Sequence, residues 1–223
     1  LKLRASVEKA SGAQKERIGV VSGGASETAA KLVERAGKLN SERMVLTAPG
    51  DVRMAAAAAA VIAGESDPSV PGNGAVLFSG LSASYDDTQV DTLVTGGVTP
   101  LECVSGEVSI VRGITTRTTT GGAADKTWRE LTTVRIVDDV IPTVRNALRA
   151  RFRRAKNTEQ SRGAIRSQVV LELENKLARE IITGYDGVTV TADSENPTVC
   201  LVDFSFTVAH GLNQIWLSAH ITV

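Results

Sequence analysis

Residues 202–223 read VDFSFTVAHGLNQIWLSAHITV, and the reading of this stretch decides the fold. Val202, Phe204, Phe206 and Val208 alternate with Asp203, Ser205 and Thr207, the period of two of a half-buried strand. After a break at His210-Gly211-Leu212-Asn213 the alternation resumes, with Ile215, Leu217, Ala219, Ile221 and Val223 on one face and Trp216, Ser218, His220 and Thr222 on the other. A strand this apolar at a sheet edge offers unpaired N–H and C=O groups to any neighbouring chain. It is therefore expected either to be buried in its own sheet or to pair with another subunit by strand addition.

The rest of the chain leads into that pair. Ile165, Val169, Leu173, Leu177 and Ile181 form an i, i+4 stripe, read as a helix stopped by Gly184. Gly187 to Ala192 and Val199 to Val208 are expected to supply antiparallel strands beside it. Upstream, Ile136, Val137, Val140, Ile141, Val144, Leu148 and Phe152 fit a helical period, with Pro142 predicting a kink or a restart inside it. Leu101–Val104 and Val108–Ile114 read as a hairpin closed by Ser105-Gly106, followed by a polar Thr/Gly segment from Thr115 to Gly122.

The first hundred residues have a different grammar. A strand over Arg17–Val21 precedes Ser22-Gly23-Gly24, then a helix to Leu39 capped by Ser26, with Ala29, Leu32, Val33 and Ala36 on its inner face. Met44–Thr47 reads as a strand stopped by Ala48-Pro49-Gly50, and Asp51 as the cap of an alanine-rich helix from Val52 to Gly64. Gln89–Val94 reads as a short helix ended by Gly96-Gly97. Strand, helix, strand, helix at this spacing predicts an α/β layer with parallel strands.

Composition narrows the function classes. The 223 residues carry 25 basic and 25 acidic side chains, so there is no overall basic signature for nucleic acid and no acidic tail. The longest apolar run, Met54 to Ala63, is too short to span a bilayer, and no signal peptide is visible. Cys103 and Cys200 stand singly, without zinc or redox spacing, and are expected to be buried reduced thiols of a cytoplasmically made protein. The start at Leu1-Lys2-Leu3, without Met, suggests the C-terminal portion of a longer protein.

The order Val108-Ser109-Ile110-Val111-Arg112-Gly113-Ile114-Thr115-Thr116-Arg117, a Gly/Thr loop, Trp128-Arg129-Glu130-Leu131, a long helix, a linker with Lys156-Asn157, another helix and a final β pair resembles the C-terminal domain of contractile tail sheath proteins. These are known from Mu-like phages and related contractile injection machines. The upstream stretch with Val45-Leu46-Thr47-Ala48-Pro49-Gly50 is similar to the preceding sheath domain, sometimes described as subtilisin-like. The resemblance implies a fold of α/β plus α+β: a Rossmann-like or subtilisin-like layer over residues 1–98, then a domain of two long helices on an antiparallel sheet over 99–223, ending in a terminal arm at 215–223. It implies a structural subunit that polymerises around an inner tail tube and contracts, without catalytic residues, cofactor or metal. Its partners would be neighbouring sheath subunits, the tail tube protein, and baseplate and tail terminator proteins, within a virion assembled in the bacterial cytoplasm. Strand exchange would use Ile215, Trp216, Leu217, Ile221 and Val223 as the exported strand, with Val202, Phe204, Phe206 and Val208 in the receiving sheet.

Other patterns are weighed beside this. Ser22-Gly23-Gly24-Ala25-Ser26 sits where a nucleotide fold places its phosphate loop, but lacks both G-x-G-x-x-G spacing and a P-loop lysine. It reads as a tight turn, and a small nucleotide- or sugar-phosphate-binding enzyme remains the alternative. The two histidines, His210 and His220, have no nucleophile context, so a fold likeness to a protease implies no protease. Arg145, Arg149, Arg151, Arg153, Arg154 and Lys156 form a basic run without an acid, read equally as a solvated helix end and as an acidic-partner contact. The resemblance implies that this contact is the tube, at Arg145, Arg149, Arg153, Arg154 and Lys156. Nucleic acid is disfavoured, because Phe152 is the run's one aromatic. Trp128 and Trp216 read as core or interface anchors. Asp138 and Asp139, being adjacent on a helix, point to different faces and form no catalytic dyad.

Overall fold

A computed structural model describes residues 2–71, 75–76 and 80–212. The chain runs α1 (Lys2–Gly12), β1 (Gly19–Ser22), α2 (Ala29–Leu39), β2 (Met44–Ala48), α3 (Val52–Gly64), β3 (Ala75–Val76), α4 (Asp87–Thr95), β4 (Thr99–Val104) and β5 (Glu107–Ile110). It continues through β6 (Thr119–Thr120), β7 (Ala123–Ala124), α5 (Leu131–Phe152), α6 (Glu159–Ala178), β8 (Ile182–Ala192) and β9 (Cys200–Val208). The architecture is mixed helix and sheet. Three sheets occur among the described residues: β1-β2-β4-β5-β3, β6-β7 and β8-β9.

The first sheet is parallel where helices connect its strands and antiparallel where a hairpin does. β1 pairs in parallel with β2 from Gly19↔Met44 to Ser22↔Thr47, and β2 pairs in parallel with β4 at Thr47↔Thr99 and Ala48↔Pro100. β4 then turns back on β5 at Ser105-Gly106, where both residues have positive φ. All of β2 is buried, as a strand covered on both faces must be. Leu32 and Ala36 of α2 pack over Leu46, Ala48, Leu93 and Val98, while Met54 and Ala58 of α3 meet Leu101, Val108 and Ile110. The boundary expected at residue 98 falls inside this sheet, since β4 and β5 lie beyond it and pair with β2 and β3.

Local chemistry sets the helix ends. Asp51 caps α3 by accepting from Arg53 N at 2.8 Å, as the sequence predicts. Helix α4 starts two residues before the expected Gln89, because Asp86 and Gln89 form a reciprocal capping box. Ser26 does not cap α2; the cap position is Thr28, without a side-chain bond. No helix was read over α1, whose one buried side chain is Val7, too weak a pattern to register.

The second core lies under β8 and β9. Ile136, Val140 and Val144 of α5 pack with Val169 and Leu173 of α6 and with Ile181, Ile182 and Val188. Helix α5 runs unbroken for 22 residues through Pro142, so of the kink or restart expected there the restart does not occur. Its first residue, Leu131, belongs instead to a cluster with Val45 and Ile62 under the first sheet. Helix α6 stops at Ala178 and not at Gly184. Glu180 takes φ +57°, its N–H bonds Leu177 O at 2.9 Å, and Ile181 N bonds Lys176 O at 3.0 Å. That is a Schellman stop built on a glutamate, which frees Gly184 to sit within β8.

The cysteines correct another expectation. Cys103 is exposed and Cys200 half-buried, both free, because Cys103 lies where β4 extends beyond the helices that cover its first half.

Candidate functional site

The β8–β9 ribbon is the candidate site. Its alternation holds as read: Val202, Phe204, Phe206 and Val208 face the α5–α6 core, while Leu201, Asp203, Ser205 and Thr207 are exposed. Phe204 and Phe206 stack with ring centroids 6.3 Å apart. These inward side chains are nevertheless only half-buried, because β9 has no strand beyond it among the described residues. An apolar row left partly open along a strand edge is completed when another strand lies beside it.

The two edges differ. β9 runs regularly from Cys200↔Ala192 to Val208↔Ile182, whereas β8 carries the irregularities, between Ile182 and Gly184 and between Asp186 and Thr189. Arg166 of α6 donates from Nε to Val188 O at 2.9 Å, occupying a backbone acceptor at the second of these. Bulges and covered carbonyls blunt an edge, so β9 presents the better template. The ribbon is held at its far end by Asn157, whose Nδ2 donates to Pro197 O at 2.8 Å and Val199 O at 3.1 Å, with Arg162 donating to Asn157 Oδ1. Tyr185 OH bonds Glu174 on α6. The first five residues of β8 escape the sequence reading, since Gly184 interrupts their alternation. The exported-strand residues Ile215, Trp216, Leu217, Ile221 and Val223 lie outside the described residues.

The basic run divides. Arg145 pairs with Glu16 at 3.0 Å and Arg149 donates to Gln14 Oε1 at 2.6 Å, both partners lying in the α1–β1 connection. Arg151 donates to Gln168 Oε1 at 2.5 Å and lies over the Phe152 ring at 5.6 Å. Arg153, Arg154 and Lys156 are exposed past the end of α5.

The glycine turn after β1 is built for packing. A Cβ on Gly50 would stand 2.3 Å from Gly24 O and 2.5 Å from Gly23 O, and one on Gly23 would stand 2.1 Å from Leu32 Cδ2. Gly24 N, the amide a phosphate would use, already donates to Glu27 Oε2 at 2.9 Å. Glu27 is paired with Arg35, whose hydrogen bond holds its carboxyl below the usual glutamate range, followed in effect by the Gly24 amide. An ionised carboxylate at that position repels a phosphate. Asp138 and Asp139 diverge as expected, to Arg43 and to Lys176, each at 2.5 Å. Trp128 is half-buried, its carbonyl accepting from Thr115 Oγ1 at 2.7 Å. Among the described residues no group of three or more His, Cys, Asp and Glu side chains is placed to hold a metal, and no helix is long and apolar enough to cross a membrane.

The described residues thus form a mixed helix–sheet body with a two-stranded ribbon and a glycine turn filled by its own carboxylate. Over residues 123–222 the chain matches the family model of the phage tail sheath C-terminal domain. It is 30% identical over 217 residues to the tail sheath protein of Bacillus phage SP01, covering 90% of this chain and 37% of that protein. The chain thus spans little more than a third of that curated relative. The fold is similar to the sheath tail protein of Listeria innocua, with TM-score 0.74 at 16% identity over 93% of this chain and 50% of that one. It is also similar to the helical sheath of the anti-feeding prophage in its contracted state, with TM-score 0.69 at 13% identity over 97% of this chain and 65% of that one. At these identities the likeness is one of fold.

Proposed function

We propose that this chain is part of a contractile tail sheath subunit, which polymerises helically around an inner tail tube and contracts to drive the tube through the host envelope. The observation that carries this is the half-covered apolar row of β9, Val202, Phe204, Phe206 and Val208, along a regular edge that no other strand among the described residues pairs with. Residues 215–223 of a second copy have the alternation to fill it. Pairing through backbone hydrogen bonds keeps subunits joined while their bodies rotate, because the ladder holds and the connections bend.

In this reading the α/β layer of β1, β2 and β4 corresponds to the sheath's subtilisin-like layer, Rossmann-like in its parallel part. The second unit, with α5, α6 and β8–β9, falls within the expected domain of residues 99–223, of which 123–222 match the family model. Arg149, Arg153, Arg154 and Lys156 face an acidic tube surface, and Arg145 reaches it from its pair with Glu16. Baseplate and tail terminator proteins cap the polymer, and the assembly belongs to a virion put together in the host cytoplasm. The role is structural, without catalysis.

The test is deletion of residues 215–223 from the complete subunit, followed by negative-stain microscopy. Loss of striated tubes from a folded monomer supports the proposal. Undiminished helical sheaths from the deleted chain overturn it.

A further inference from the structure

Beyond β9 the chain passes through Ala209 and His210 and, at Gly211, runs directly over Pro71. A Cβ on Gly211 would stand 2.3 Å from Pro71 Cγ and 3.1 Å from both its Cβ and Cδ. Carbon atoms rest at about 3.5–4.0 Å, so any side chain there forces one of the two segments to move by more than about 1 Å.

The proline side is pinned. Arg135 of α5 donates from Nη1 to Val70 O at 3.2 Å and from Nη2 to Glu65 O at 2.9 Å, clasping the loop of residues 65–71 at both ends. Within the loop Asp67 Oδ1 accepts from Ser69 N at 2.9 Å and from Ser69 Oγ at 2.6 Å. Pro71 has a ring-locked φ. The strand side is tied as well, by Ala209 N to Ile181 O at 3.3 Å beside the stop of α6. What remains to yield is the chain at Gly211 and Leu212. With Ala209 and His210 these residues border a groove of about 720 Å³ lined also by Asp67, Val70, Leu177, Arg179 and Thr183.

We propose that the contact of Gly211 with Pro71 is the seat that sets the direction in which the C-terminal segment leaves the body, so that residues 215–223 reach the β9 edge of a neighbouring copy. The inference rests on the strand-exchange reading and adds two positioning residues to it, one from each half of the chain. Gly211 is present because nothing larger fits beneath the crossing. Pro71 sets the clearance, because its ring on an anchored loop leaves room at the crossing for glycine alone.

The experiment compares four forms of the complete subunit: wild type, Gly211→Ala, Pro71→Gly/Gly211→Ala, and the deletion of 215–223. Each is scored for sheath formation in negative stain and for the melting temperature of the unassembled subunit. The expected result is a critical concentration about tenfold higher for Gly211→Ala, equivalent to about 1.4 kcal/mol per contact. Its melting temperature stays within about 2 °C of wild type, since the core is untouched. Removal of the proline ring in the double variant restores assembly. Normal assembly by Gly211→Ala alongside failure of the deletion overturns the seat while leaving strand exchange standing. A fall in melting temperature that parallels the loss of assembly, or no rescue by Pro71→Gly, also overturns it. Assembly by the deletion removes the strand-exchange reading itself, and the seat with it.

Discussion

Lys176 Nζ of α6 lies 2.5 Å from Asp139 Oδ2 of α5, and 8% of the lysine side chain remains exposed against 31% of the aspartate. The pair ties the two helices of the second core together through a charge that has almost no access to water. Its two halves are therefore not equivalent. Asp139→Ala strands an ammonium inside the helix pair and is expected to cost about 2–4 kcal/mol. Lys176→Met keeps the stem's packing and leaves a carboxylate that water reaches, at a cost of about 1 kcal/mol or less. Urea denaturation of the two variants measures the difference; equal losses would refute the asymmetry.

The neighbouring acid carries a pH signature. Burial pushes the Asp138 carboxyl above its ordinary value of 3.8, with Glu16 pushing the same way and Arg43 pulling it down. A raised folded value means that its contribution is fully present below 3.8 and fades as pH rises through the folded value. Stability of wild type minus Asp138→Asn is thus expected to fall as pH rises above 3.8 and through the raised folded value. Asp125 behaves oppositely. The Thr120 hydroxyl, and with smaller effect the amides of Trp128 and Thr127, hold it below 3.8, so its contribution is lost as pH drops through that lowered value. Thermal melts of Asp138→Asn and Asp125→Asn across acid pH, each compared with wild type, should give differences that slope in opposite directions, and parallel slopes would contradict the assignment.

Asn40 joins the α2–β2 corner to the threonine segment. At φ +36° it occupies the left-handed region, its Nδ2 donates to Thr119 O at 3.0 Å, and its Oδ1 accepts from Thr118 N and Thr119 N at 3.1 and 3.3 Å. Asn40→Ala loses both the side-chain bonds and a tolerant backbone, for about 2–3 kcal/mol. Asn40→Gly loses the bonds alone and is expected to cost about 1 kcal/mol less. Chemical denaturation with the order reversed would show that the bonds contribute little.

Pro142 offers no N–H to the carbonyl of Asp138, four residues earlier in α5. Because the helix runs on regardless, Pro142→Ala is expected to stabilise the subunit by about 1–3 kcal/mol in equilibrium unfolding. A loss would mean that the ring's own packing outweighs the missing bond.

The elements legible in the sequence are those whose pattern is local. The alternation of Val202 to Val208 and the stripe of Val169 and Leu173 both place their side chains in the second core. Capping by Asp51 is equally local. What escaped depends on contacts between distant residues or on one unusual backbone angle. Nothing near Arg145 announces Glu16, 129 residues away, so the basic run looked freer than it is. Glu180 in a left-handed conformation ends α6 where the stripe still continues to Ile181. The membership of β4 and β5 in the first sheet follows from pairing with Thr47 and Ala48, which no short-range pattern records. At the candidate site the strand face was readable, whereas the contrast between the regular β9 edge and the bulged β8 edge was not.

Helix α5 begins in one core with Leu131 and continues through the other with Ile136, Val140 and Val144. At 1.5 Å per residue its 22 residues form a rod about 33 Å long. A rod embedded at both stations forbids the two cores from swivelling against each other without first unpacking one of them. The two cores are therefore expected to turn as one piece, with the β-layer and the ribbon held at a fixed spacing by the helix they share.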